Sequence, residues 1–222
     1  MNLPFNWTIR DATPDDAAAI AAIMRDCWPD DTPELQRITR LIGGDHHTIS
    51  AWAGSVCVGF VDAFPTLDPA GRGRWEIDLL AVSAAARGRG VGRGLIAEAV
   101  AAAAPGSKLV RGLIRAGNGA SERAFAAAGF QAGDQLLTLY SAPALAGQSL
   151  ECGHAIAVQT LTYSGLWLEG TPTANTLRAG RAQAADTGVE QVGILIAADN
   201  AALCEAAGYR EIGVYRWWMR QV

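Results

Sequence analysis

Histidine is scarce in this sequence, with three copies in 222 residues, and the four cysteines, Cys27, Cys57, Cys152 and Cys204, form no CxxC pair. Neither set has the spacing of a zinc site, so no metal is expected, and isolated cysteines of this kind are ordinarily small buried thiols. No stretch of about 18 apolar residues is free of charge, so no membrane-spanning helix and no membrane partner are expected. The opening MNLPFNWTIRDATPDD lacks a basic region followed by an apolar core. No signal peptide is therefore expected, and a cytoplasmic location is the expectation. Positive charge is also short: 18 Lys and Arg against 22 Asp and Glu leave a net charge of −4. A general nucleic-acid binder needs a basic surface, so nucleic acid is not an expected partner. What is present is a hydrophobic content of 50%, enough for a sizeable core, and 25 glycines, four of which sit inside one arginine-rich stretch.

That stretch is AARGRGVGRGLI, residues 85–96, and it lies between an apolar strand pattern and an apolar helix pattern. Before it, WTIRD reads as a first strand. TPDDAAAIAAIMRDCW is a helix with Thr13 as N-cap and Pro14 in its first turn, and DDTPELQRITRLIGG is a second helix. HHTISAWAGSVCVGFVDAFP is a hairpin around AGS, and GRWEIDLLAV is another strand. After the loop come a helix ended by Pro105 and Gly106, the strand KLVRGLIRAG, the helix NGASERAFAAAG and the strand DQLLTLYS. Helices and strands mix throughout, which predicts an α/β (α+β) fold with a largely central mixed sheet flanked by helices.

Backbone N–H groups at a helix start lack internal partners and sit at the positive end of the helix dipole, and a glycine-rich turn there lets an anion approach them closely. The loop is not the dinucleotide fingerprint GxGxxG, because Arg93 and Leu95 occupy the places of its third glycine, and it lacks the Gly-Lys-Ser/Thr of a Walker A loop. It does read RxxGxG, as Arg87, Gly88, Arg89, Gly90, Val91 and Gly92. This resembles the pyrophosphate loop of the GNAT superfamily, the acyl-CoA-dependent N-acyltransferases. LLAVSAAARGRGVGRGLI resembles that family's fourth strand, loop and third helix, and NGASERAFAAAGF resembles its Asn-x6-Tyr-x3-Gly-Phe helix at Asn118, Gly129 and Phe130. The likeness covers roughly residues 7–140.

The resemblance implies acetyl-CoA as co-substrate. Leu80, Ala81 and Val82 would hold its pantetheine arm through the backbone, and Arg87 to Arg93, with Asn118 and Phe125, would complete the cofactor site. It also implies direct attack by an amine on the thioester. An amine is mostly protonated at neutral pH, so a base is needed. Glu76 and Asp78 are the candidates, and strict strand alternation puts them on one face with Leu80 and Val82. Both carboxylates could equally be ion-pair groups of the strand. The family's thiolate-protonating tyrosine is replaced by Phe125, leaving Ser121 or water for that role. The resemblance also implies an acceptor site built by the first two helices, where Trp28, Asp30, Asp31 and Glu34 could meet an amine. The same stretch also reads as a solvated loop beside a packed tryptophan. His46 and His47 read as ordinary polar residues.

After SAPALAGQSLECG (141–153), a linker by composition, the pattern partly restarts with a β-α-β-α-β order over 154–222, and NAALCEAAGYR echoes NGASERAFAAAGF. The expected organisation is a GNAT-like domain over 1–140 and a partial, degenerate second one over 154–222, with Pro172 in place of the loop. Trp217 and Trp218 read as one buried and one half-exposed aromatic. The function expected is transfer of an acetyl group from acetyl-CoA to a primary amine of a small molecule, less so of a protein, by a monomer or homodimer. The rival is a non-catalytic acyl-CoA-binding sensor or scaffold.

Overall fold

A computed structural model describes residues 6–147 and 152–222. Along the chain run β1 (Thr8–Asp11), α1 (Ala17–Cys27), α2 (Leu35–Ile42), β2 (His47–Ala53), β3 (Val56–Leu67), β4 (Gly73–Val82), α3 (Val91–Ala101), β5 (Leu109–Arg115) and α4 (Gly119–Ala127). They are followed by β6 (Gln131–Ala132), β7 (Leu137–Pro143), β8 (His154–Gln159), β9 (Ser164–Glu169), α5 (Ala174–Asp186), β10 (Gln191–Ile196), α6 (Ala201–Ala206) and β11 (Arg210–Gln221). Among the described residues, no helix is long and apolar enough to cross a membrane.

The elements predicted from sequence appear in order, with two additions. Strand β8 lies where no strand is expected from the residue pattern, so residues 154–222 carry one strand more than the β-α-β-α-β order. The short β6 pairs with β11. Of the expected linker, Ser141–Pro143 belong to β7, and residues 148–151 lie outside the described residues.

All strands join one mixed sheet in the order β1-β2-β3-β4-β5-β11-β7-β10-β9-β8. The three pairings that lead to the middle from each side run antiparallel, parallel, antiparallel: β3–β4, β4–β5 and β5–β11 on one side, beyond which β1, β2 and β3 pair antiparallel. On the other side it is β8–β9, β9–β10 and β10–β7. The two central strands, β11 and β7, pair antiparallel. The last strand of each half therefore lies beside the other half's β5 or β10.

Three cores hold this sheet. One joins Trp75, Ile77, Leu95, Ile96 and Val110 beneath α3 and α4. A second packs Ile20, Met24 and Ile38 of α1 and α2 on Phe60 and Ala81. The third gathers Leu177, Leu166, Ile194 and Tyr140 beneath α5. The N-terminal part of the sheet is thus covered on both faces, which removes its apolar strands from water.

Candidate active site

The glycine-rich segment connects β4 to α3. After a short 3-10 turn at Ala84–Ala86, Gly88 and Gly90 take the left-handed conformation (φ 73° and 82°), and Gly90 is the N-cap of α3. Left-handed backbone is costly for residues with a Cβ, so glycine suits both turns. No side chain caps α3, and the N–H groups of its first turn have no intrahelical acceptor. The loop is tied to its neighbours from behind. Arg87 Nε donates to the Val82 carbonyl at 3.0 Å, and the Ala84 N–H donates to Asp26 at 3.2 Å. Arg87 is thus a strut within the loop, and it is exposed like Arg89 and Arg93. Gly92 approaches Leu80, Val82 and Ala124, so the loop, the end of β4 and α4 converge.

Beside the loop, β4 and β5 separate. They pair only from Arg74↔Leu109 to Ile77↔Gly112, although β4 runs on to Val82 and β5 to Arg115. Leu80, Ala81 and Val82 keep β3 on one side, opposite Val61, Phe60 and Gly59. Their edge toward β5 carries no strand.

A β-bulge corrects the expected facing of this strand. Val61 pairs with Leu80 but Ala63 pairs with Ile77, which leaves one extra residue on β4. An extra residue reverses the alternation beyond it. Trp75, Ile77, Leu80 and Val82 all pack into the core beneath α3. Glu76 and Asp78, which strict alternation would place with Leu80 and Val82, instead line a cavity.

The two carboxylates have opposite surroundings. Glu76 is enclosed by ion pairs to Arg111 Nε (2.9 Å) and Arg74 Nε (3.5 Å), and accepts a hydrogen bond from Thr66 at 2.5 Å. Arg74 and Arg111 also grip Glu169 of β9, at 3.0 and 2.9 Å, and Arg111 lies 3.9 Å over the Trp217 ring. The Oδ2 of Asp78 is buried with no hydrogen-bond partner. Burial, then repulsion from Asp62, pushes the Asp78 carboxyl up to about 7, against the opposing hydrogen bond from Thr160 and the charge of His46. A carboxyl that takes up protons near neutral pH is suited to act as a base there.

Beside Asp78 is a pair the sequence reading passed over. Asp62 is fully buried, 2.6 Å from His46 Nδ1, and accepts a 2.7 Å hydrogen bond from Thr48. Burial lowers the His46 pKa, but the hydrogen bond and charge of Asp62 outweigh it, so it ends above the ordinary value. The His46 ring stacks on Phe64 at 4.8 Å. The available signal was an aspartate inside the apolar run VCVGFVDAF, since a buried charge requires a partner.

The cavity at Asp78 has a volume of about 290 Å³. Its wall on one side is β4 and β5 and on the other the second half, through Val158, Trp167 and Trp217 among others. Trp218, next in β11, packs against the core beneath α3. The turn after β8 closes one end: Leu161 joins the core of α1 and α2, and Thr160 reaches Asp78.

The remaining sequence-predicted residues are dispersed. Asn118 caps α4 by accepting the Ser121 N–H at 3.3 Å. Phe125 is in the core, edge-on to Phe130 at 4.9 Å, and its ring fills the space that a side chain at Gly112 would need. Trp28 packs half-buried against α1 and α2, and Asp30 is exposed. Asp31 and Glu34 line a separate cavity of about 150 Å³ with Arg37, which also meets Leu161 and Thr162. Among the described residues, no group of three or more His, Cys, Asp or Glu is placed to hold a metal.

The profile described as the acetyltransferase (GNAT) family matches residues 17–130. No curated protein matches the chain in sequence. NAA60 of Arabidopsis thaliana, solved in complex with acetyl-CoA, resembles 60% of this chain and 90% of its own at 22% identity and a TM-score of 0.53. A GCN5-related N-acetyltransferase from Sphaerobacter thermophilus resembles 99% of this chain and 97% of its own, at 14% identity and a TM-score of 0.61. A GCN5-related glucosamine N-acetyltransferase region in a fungal multi-domain β-N-acetylglucosaminidase resembles 98% of this chain and 38% of that larger one, at 12% identity and a TM-score of 0.66. At these identities the likeness is one of fold, and in the last two it extends through the second half.

Proposed function

The chain belongs to the acetyltransferase (GNAT) family, a family of acyltransferases, and from that premise we propose that it transfers an acetyl group from acetyl-CoA to the primary amine of a small molecule. The observation that carries the acceptor side is Asp78, which lines a cavity beside the β4–β5 separation and has a carboxylate oxygen without a hydrogen-bond partner. The residues present fit acetyl-CoA. The first-turn N–H groups of α3 and the two left-handed glycines suit a pyrophosphate. The strandless edge of Leu80–Val82 suits the amide groups of a pantetheine arm.

Bound acetyl-CoA supplies an activated acetyl group. Asp78 receives the acceptor's ammonium and takes a proton from it, directly or through water. The freed nitrogen bonds the acetyl carbon as the C–S bond breaks, the electron pair leaves with sulfur, and the nitrogen gives up its surplus proton to water as the amide forms. Asp78, rather than Glu76, holds this role because Glu76 is neutralised by two arginines. Phe125 has no proton to give and points into the core. Protonation of the thiolate falls to water, which is acceptable for a thiol with a pKa of about 8.5.

We extend the proposal to organisation: residues 1–140 form the acetyltransferase domain, and 154–222 form a partial, degenerate repeat of it. The support is the matched pairing order on the two sides of β11 and β7. Calorimetric titration with acetyl-CoA, followed by thiol release against a panel of amines, tests the function. Micromolar binding with thiol release on adding one amine is the expected result. Binding without release from any amine would replace the enzyme by a sensor or scaffold, and no binding would overturn the cofactor site.

A further inference from the structure

The cavity at Asp78 is small and its polar groups are largely committed. At about 290 Å³ it lies at the lower edge of the range of about 300–1,000 Å³ usual for ligand pockets. Phe64, Leu113, Ile156, Val158, Trp167 and Trp217 give it an apolar, largely aromatic surface. Three charged residues reach it. Glu76 and Arg111 are paired to one another, and Arg111 is also paired to Glu169. Of the three, Asp78 alone has a charged-group atom with nothing bonded to it.

Of the five lining residues that carry a hydroxyl, three are engaged as well, while Thr162 and Tyr215 keep theirs. Thr66 donates to Glu76 and accepts from Arg74 Nε. Tyr163 donates to the Leu166 carbonyl at 2.7 Å. Thr160 accepts the N–H groups of Thr162 and Tyr163 and donates to Asp78. An acceptor with several hydroxyls or a second ammonium would find only Thr162 and Tyr215 for partners and would leave its other polar groups buried unpaired, which is costly. An acceptor with one ammonium and an apolar body meets one anionic oxygen and a matching wall.

We propose that the acceptor is a primary amine on a compact aromatic or aliphatic body without a second charge, an arylalkylamine in chemical class, selected by a wall that β8, β9 and β11 complete. This rests on the acetyl-transfer reading above. It departs from the glucosamine in the description of the fungal relative.

The test is thiol release by the full chain with saturating acetyl-CoA, against 2-phenylethylamine, tryptamine, spermidine, glucosamine and a short peptide with a free N-terminus. The expected result is a kcat/KM for one of the two arylalkylamines about tenfold or more above each of the other three. Val158→Asp, which adds a charge to the wall, should lower that value about tenfold and narrow the gap to spermidine, with acetyl-CoA affinity unchanged. Parity, or a preference for spermidine, glucosamine or the peptide, overturns this inference and leaves acetyl transfer standing. Bound acetyl-CoA with thiol release from none of the amines overturns the transfer reading and this inference with it.

Discussion

The two turns that lead from a parallel strand into a helix, β4 to α3 and β9 to α5, are at equivalent places in the sheet and are finished differently. Ahead of α3 the chain places Gly88 and Gly90 in left-handed turns, and no side chain caps the helix. Ahead of α5 it places Thr171, Pro172 and Thr173. Thr173 accepts the Thr176 N–H at 3.1 Å, and Thr176 accepts the Thr173 N–H at 2.8 Å. A reciprocal cap satisfies from within the donors that the first turn leaves open to a ligand. The lesson is that a strand–turn–helix unit becomes an anion site or a closed cap according to what satisfies the helix's first amides.

A second contrast sits one residue past the last parallel pair in each half. Ile77↔Gly112 ends the β4–β5 pairing and is followed by Asp78, while Leu168↔Ile194 ends the β9–β10 pairing and is followed by Glu169. Asp78 is half-buried, its buried Oδ2 has no hydrogen-bond partner, and its pKa is raised. Burial raises the Glu169 pKa, but the hydrogen bonds and charges of Arg74 and Arg111 outweigh it and leave it lowered. The same register position thus holds a carboxyl of raised pKa in one half and an arginine-paired anion in the other.

The sharpest way to break the first contrast is to place charge on the turns. Gly90→Asp or Gly92→Glu should reduce acetyl-CoA affinity more than about a hundredfold, the effect of several kcal/mol of like-charge repulsion. Thr171→Glu, in the other turn, should leave it unchanged within about twofold. Calorimetry on all three variants decides, and equal losses would deny the first turn its role.

Next in size is Asp78→Asn. It should cost about 10²–10³ in kcat with acetyl-CoA affinity retained. In the wild type, kcat/KM should rise as pH increases through about 7, because Asp78 must lose its proton to act. A pH profile in which the variant keeps that rise would assign it to another group.

The smallest effects are on stability, and their signs differ. Asp78 holds its proton up to about 7 in the folded chain, against about 4 when unfolded. Between those values the folded state binds more protons, so this group's contribution to stability falls as pH rises across that window. Asp78→Asn should therefore raise Tm at pH 8. Glu169 has the opposite linkage. Its lowered pKa gives stability that is present above the unfolded value and lost as pH falls below it. Glu169→Gln should lower stability by about 2 kcal/mol at pH 8. Thermal unfolding at two pH values reads both, and Tm shifts of the same sign would remove the contrast.

The strand–loop–helix order of the first half was legible because glycine, proline and apolar period mark it locally. The inverted facing of Glu76 and Asp78 was not, since a bulge adds a residue without any composition of its own. Asp62 and His46 were missed because their significance lies in meeting each other across β2 and β3. Strand β8 follows a stretch of small residues and was hidden by it. The position of β11 between β5 and β7 could not be read from either half, because strand order is set by contacts distant in sequence. That same distance concealed the cavity, whose walls come from both halves.

The placement of β11 also sets a schedule for synthesis. Leu109 on β5 pairs with Gln221, so the strand that borders the cavity waits for residues translated well after it. Until β11 leaves the ribosome, β5 and β7 each present an open edge, the kind of surface that invites pairing with another chain. A premature stop upstream of Arg210 would have the same effect permanently, however intact the glycine-rich loop. In this protein the cavity is complete only once β11 has been made, and genetic lesions that remove Arg210–Gln221 should be as damaging as those in the loop itself.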